Sequence, residues 1–259
     1  MHHDPWEPDF DYGFPLRVAR IACADSVEDE TPLAALRAGE PFCLHLAEGI
    51  GPDAADEVRT VHRRGLLDRN LIAVHGIGMD REGCELFRNS GAALAWCPSS
   101  NVFLFGRTAP AELFEDGIDI LLGSDSLLSG AGNLLDELRA ARRFGLLGDR
   151  RLEDAVGCTA ARRLGLAEPS LEPGRRADLV VLSKLLLEAS AHEVELVVVA
   201  GVPRIAAKSI ASRLQDAGYS FRAMTCSGVA RWVNETEPES AEAMNRKGFR
   251  AALQQTGFG

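Results

Sequence analysis

The sequence predicts an α/β fold with parallel strands, and three observations carry that expectation. From Leu16 to about Leu166, short apolar runs alternate with amphipathic stretches of helical length, the pattern of parallel strands covered by helices. Ionisable residues stand at or just after the ends of three of those runs, at His45, His75 and Asp125. The composition is that of a globular chain: 259 residues, 46% hydrophobic and 25% charged, long enough to bury a substantial core.

Taken in order, the expected strands are Leu16–Cys23, Pro41–Leu46, Leu71–Val74, Ala92–Trp96 and Ile118–Leu122. Helices are expected at Thr31–Ala38, Asp53–Leu67, Arg81–Ser90, Asn133–Phe144 and Leu152–Leu164, with Asp53 and Asp80 as N-terminal caps. After Leu166 the texture changes. Two β-branched runs, Leu179–Leu182 and Leu196–Val199, with Gly201-Val202-Pro203 as a turn, predict a small separate sheet. From Ser209 onward the chain is mostly polar and helical in propensity, with an acidic surface segment starting at Glu235. The expected division is therefore 1–166, 167–208 and 209–259.

Lys and Arg number 28 against 38 Asp and Glu, a formal net charge of −10. A phosphate-tracking surface needs concentrated cations, so a nucleic-acid partner is not expected. The longest apolar stretches are interrupted by Asp178, Lys184 and Glu195 and fall short of the ~20 residues that span a bilayer. The N-terminus carries neither a basic nor an apolar signal region, and the six cysteines stand singly without a C-x-x-C pair. A reduced, cytoplasmic protein with no membrane partner is the expectation.

In a (β/α) barrel, residues at the C-terminal ends of strands converge on one face although distant in sequence. His45, His75 and Asp125 all stand at such ends, and Glu48 follows His45 by three positions. That spacing can set a neutral imidazole on a metal while the carboxylate, already in the loop, serves as a proton carrier. A lone histidine at a strand end is more often a hydrogen-bonded core group, and a Gly-Ser-Asp-Ser run can be only a helix cap. Four such residues in order are harder to dismiss. His62 and His192 read as solvated surface groups.

These residues carry a resemblance. His45-Leu-Ala-Glu48, Val74-His75-Gly76, Trp96-Cys97-Pro98-Ser99-Ser100-Asn101 and Gly123-Ser124-Asp125-Ser126 resemble the later motifs of the amidohydrolase superfamily, in its chlorohydrolase and cytosine/guanine-deaminase-like branch. Cys158–Leu166 and Leu171–Leu182 resemble that family's final barrel helix and its return to a β-sandwich. The resemblance implies a metal-dependent hydrolase of non-peptide C–N bonds, such as a deaminase of a cyclic amidine or heteroaromatic ring. It further implies one divalent metal, zinc or iron, held in part by His45 and Asp125. Glu48 would carry a proton from the activated water to the leaving nitrogen. His75 would hydrogen-bond the water or the developing oxyanion, Asp125 would help deprotonate the water, and Ser99, Ser100 and Asn101 would line the pocket for a small-molecule substrate.

The family pattern opens with a His-x-His pair, which this sequence lacks; His2-His3-Asp4-Pro5 is similar to the segment after the family's second strand. The expectation is thus an N-terminally truncated, partial (β/α)8 TIM-type barrel without its first strand or strands. A remnant of the β-sandwich and a helical tail would follow. An unclosed sheet exposes an unpaired edge, which favours self-association into a homo-oligomer. Two other readings stay open: a catalytically inert remnant or assembly module, and a small-molecule binding domain without the metal.

Overall fold

The computed structural model describes residues 21–24, 34–35, 38–226 and 228–235. Most of the expected strand Leu16–Cys23, most of the expected helix Thr31–Ala38, the pair His2-His3 and residues 236–259 lie outside them. The described residues form two compact units, one through Pro169 and one from Ser170.

The first unit is built on five parallel strands in sequence order: β1 (Ala22–Ala24), β2 (Phe42–Leu46), β3 (Leu71–His75), β4 (Ala93–Trp96) and β5 (Asp119–Leu122). The helices are α1 (Pro52–Arg63), α2 (Arg81–Ser90), α3 (Pro98–Phe105), α4 (Leu134–Phe144), α5 (Asp149–Val156) and α6 (Cys158–Arg163), with a 3₁₀ turn at Ala111–Phe114. Each strand lies beside its predecessor, so with the usual right-handed crossovers the connections stay on one face of the sheet. The opposite face carries a cluster of Cys43, Ile72, Val74, Ala93, Ala95 and Leu121, against which Ala160 of α6 and Leu164 just after it pack. Because the strands run in one direction, their C-terminal ends share one edge. That edge receives the loops bearing the candidate site.

Local chemistry explains most boundaries. Asp80 caps α2 by accepting a hydrogen bond from the Gly83 N–H at 2.8 Å, as expected. At α1 the cap is Gly51, not Asp53; Pro52 occupies the first helical position, where its missing N–H costs nothing, and Asp53 falls in the first turn. The expected helix Leu152–Leu164 is instead two, broken at Gly157, where a Cβ would lie 3.0 Å from the Glu153 carbonyl oxygen. Residues Pro98–Phe105, which hold Ser99, Ser100 and Asn101 and fall outside the expected helices, form helix α3. Its N-cap, Cys97, offers no capping side chain, so the usual sequence signal is missing. None of Cys23, Cys43, Cys84, Cys97 and Cys158 is in a disulfide. No described helix is long and apolar enough to cross a membrane.

The second unit is an antiparallel sheet of β6 (Leu179–Leu182), β7 (Val194–Val199), β8 (Val202–Ala206), β9 (Phe221–Cys226) and β10 (Val229–Asn234), in the order β6-β7-β8-β10-β9, with helix α7 at Lys208–Asp216. Its core joins Leu196, Val198, Val202, Ala206, Leu214 and Phe221. Two expectations are corrected here. The turn is Ala200-Gly201, both at positive φ, so Val202 and Pro203 already belong to a strand. Strands β9 and β10 pair as an antiparallel hairpin rather than helix: Arg222, Met224 and Ala230 are exposed while Phe221 and Val229 are buried, so the strands lack a clear polar–apolar alternation.

Candidate functional site

His45 stands one residue before the end of β2 and pairs in register with Val74, on the face that also carries Cys43 and Ala95. His75, the last residue of β3, pairs with Leu46, so strict alternation would send its side chain to the opposite face. The backbone corrects this. His75 adopts φ 73°, a left-handed conformation that costs a non-glycine residue about 1–3 kcal/mol and turns the side chain out of the strand's alternation. The two imidazoles consequently stack, with ring centroids 5.4 Å apart.

Ala47 repeats the device at φ 52°, immediately before the loop that carries Glu48. The Glu57 carboxylate of α1 secures that bend by accepting the Ala47 N–H at 2.7 Å. Burial raises the Glu57 carboxyl above its ordinary value, the Ala47 hydrogen bond opposes the rise, and the charge of Glu48 adds to it. Loop 47–49 is further pinned against the loop after β3: the Gly78 N–H donates to the Ala47 carbonyl at 2.8 Å, and a Cβ on Gly78 would come within 2.6 Å of the Gly49 oxygen. Glu48 Oε1 thereby sits 3.6 Å from His75 Nε2. One donor atom from each of His45, Glu48 and His75 lies within 4.8 Å of the others.

Asp125, at φ 53° in the loop after β5, lies outside that trio. Its Oδ2 accepts hydrogen bonds from the hydroxyls of Ser100 and of Ser129, the latter at 2.9 Å. Burial by itself would raise the Asp125 carboxyl; the Ser100 and Ser129 hydroxyls and the nearby His75 outweigh it and hold the group below the usual carboxylate range. Asp125 is therefore an anion held in a hydroxyl cradle.

The three residues expected to line a substrate pocket behave differently. Ser100 and Asn101 are 1% and 0% exposed on the inner side of α3, and both point to site residues, Ser100 to Asp125 and Asn101 to His75. They hold the site from behind. Ser99 reaches a cavity of about 530 Å³ that is also lined by Phe103, Ser129, Arg143 and Phe144.

Three contributors escaped the sequence reading. Ser129 and Glu57 sit in contexts without a distinguishing pattern. Glu137 did leave a signal: it occupies the apolar stripe of α4 beside Leu138 and Ala141, and it is completely buried. Its carboxylate accepts the Ser99 N–H at 3.2 Å and the Ala131 N–H at 2.6 Å. Glu137 thus supplies from α4 the cap that α3 lacks and joins the loop after β4 to the loop after β5.

Two imidazoles and a carboxylate converging at a strand edge match the nitrogen and oxygen donor set of a divalent transition metal. The profile of the Amidohydrolase family matches residues 21–204. A 5-methylthioadenosine/S-adenosylhomocysteine deaminase from Teredinibacter turnerae is 37% identical over 132 residues, 46% of this chain and 29% of the relative. An S-triazine hydrolase from Gordonia rubripertincta is 29% identical over 134 residues, 47% of this chain and 28% of the relative. Among solved structures, a zinc-bound adenosine deaminase from Xanthomonas campestris superposes with a TM-score of 0.62 at 20% identity, over 87% of this chain and 54% of that one. An atrazine chlorohydrolase from Arthrobacter aurescens in complex with zinc gives 0.56 at 23% identity, over 66% and 45%. The chain spans under three-tenths of the length of these curated relatives and about half of these structures.

Proposed function

Because the chain belongs to the amidohydrolase family, we propose that it carries the proton-transfer residues of a metal-dependent hydrolase site that releases ammonia or a comparable leaving group from a nitrogen-containing ring. The convergence of His45, Glu48 and His75 at the sheet edge is the observation that carries this reading. The ring-amine and triazine substrates in the names of the relatives support the substrate class.

In this reading His45 and Asp125 help to hold a divalent ion, zinc or iron, and His75 presents its second ring nitrogen to the same point. When bound, such an ion supplies Lewis-acid activation of water, bringing its pKa to about 7. Everything else falls to the chain. Glu48 lies at the mouth of the site, 35% exposed at its side chain and within 3.6 Å of His75, where a carboxylate can take a proton from water and return it to a departing nitrogen. Asp125, anionic through its two hydroxyl donors, stabilises positive charge gathered at the site. Ser99 and the cavity beside α3 offer room for part of a ring substrate.

The test is ammonia release from a panel of pterins, purines, pyrimidines and triazines by the zinc-loaded chain. Turnover of at least one ring amine, abolished by chelator and by Glu48→Gln, is expected. A zinc-loaded chain that turns over none of them overturns the reading.

A further inference from the structure

Asn101 makes two hydrogen bonds to a single partner. Its Oδ1 lies 2.9 Å from His75 Nδ1, and its Nδ2 lies 3.3 Å from the His75 backbone carbonyl oxygen. A carbonyl oxygen can only accept, so the amide nitrogen must face it; turning the amide over would set two acceptors against each other. With the amide so oriented, the atom facing Nδ1 is an oxygen, which also only accepts. The proton between them therefore belongs to Nδ1. His75 and Asn101 are 1% and 0% exposed, so water cannot substitute for either bond.

A neutral imidazole carries one N–H. If Nδ1 holds it, Nε2 presents a lone pair, and Nε2 is the atom that faces Glu48 in the cluster. We propose that Asn101 is a positioning residue that locks His75 in the Nδ1–H form, making it an electron-pair donor toward the His45–Glu48 cluster and not an N–H donor to a developing oxyanion. The left-handed backbone of His75 belongs to the same device, since it directs the ring into the cluster while leaving the carbonyl within reach of Asn101. The neighbouring residue on α3, Ser100, holds Asp125, so consecutive positions of one helix hold a residue at the end of β3 and one in the loop after β5. The proposal deepens the metal-site reading by assigning the chemical role of His75, and it rests on that reading only for the purpose the lone pair serves.

The experiment is nitrogen NMR of the imidazoles in the metal-free full chain, with the His75 resonances assigned by loss in His75→Gln. In neutral His75 a pyrrole-like Nδ1 and a pyridine-like Nε2 are expected. Asn101→Leu, which removes the acceptor opposite Nδ1, should move the proton wholly or partly to Nε2. A pyrrole-like Nε2 in the parent chain overturns the proposal, and so does an unchanged pattern in Asn101→Leu. The parent measurement decides even if the leucine variant does not fold. Failure of the metal reading would show separately, as a parent chain that binds no zinc, because the nitrogen shifts are read with zinc absent.

Discussion

Replacing Glu137 by glutamine tests whether the loops that carry the site are held from within. The carboxylate is fully buried and accepts two backbone N–H groups, from Ser99 at 3.2 Å and Ala131 at 2.6 Å. A glutamine has nearly the same shape, yet it offers one accepting oxygen where the carboxylate offers two. One amide N–H is then left against an NH₂ group, at about 1–3 kcal/mol for a buried unsatisfied donor, and the remaining bond loses its charge assistance, worth about 1 kcal/mol more. Glu137→Gln should therefore lower unfolding stability by about 2–4 kcal/mol, read from urea midpoints at constant m-value. Glu137→Leu, which orphans both donors, should cost more. A glutamine variant within about 0.5 kcal/mol of the parent, the range of an ordinary surface substitution, would refute the clamp.

Glu48→Gln should lower hydrolytic turnover by about 10²–10⁴-fold, the usual contribution of a general acid–base group, while a zinc titration still shows binding. Gly78→Ala places a Cβ within 2.6 Å of the Gly49 oxygen; a loss of about 1–3 kcal/mol and weaker zinc binding are expected, and a neutral result in calorimetry would show that the two loops are not in contact. Asp119 is held below its ordinary carboxyl value, burial being outweighed by Arg162 and Arg163. A depressed folded value means that its stabilisation is present above the unfolded pKa of about 3.9 and fades as pH falls through the lower folded value. Asp119→Asn should accordingly flatten the loss of stability below about pH 4 in urea titrations, and an unchanged slope would contradict the pairing. Zinc at about 100 times its dissociation constant should stabilise the chain by about 2.7 kcal/mol, removed by chelator in a thermal melt.

Much of this was legible in the residues. The apolar runs at 42–46, 71–75, 93–96 and 119–122 are short and continuous, as strands of a parallel sheet are, and parallel order places their ends together. That made His45, Glu48 and His75 readable as one site. Asp125 was legible as a strand-end acid, while its hydroxyl cradle was not, because Ser129 is brought to it by a loop closed through the Gly130 N–H on the Ser126 carbonyl at 2.8 Å. Helix α3 was hidden because its cap comes from another helix, and with it the work of Ser100 and Asn101. The left-handed backbone of His75 reverses the parity that alternation assigns, and no local pattern announces it. The hairpin of β9 and β10 was missed because no apolar-in, polar-out alternation marks it: Met224 and Ala230 are exposed beside Arg222, while Phe221 and Val229 are buried.

The imidazoles of His45 and His75, on adjacent strands, would face one metal-binding point beside the Glu48 carboxylate. Equilibrium zinc titration of the parent chain beside His45→Ala and His75→Ala tests it most directly. One tightly held ion per parent chain and a large loss of affinity in both variants are expected; equal zinc binding by all three chains would show that the two imidazoles share no ion.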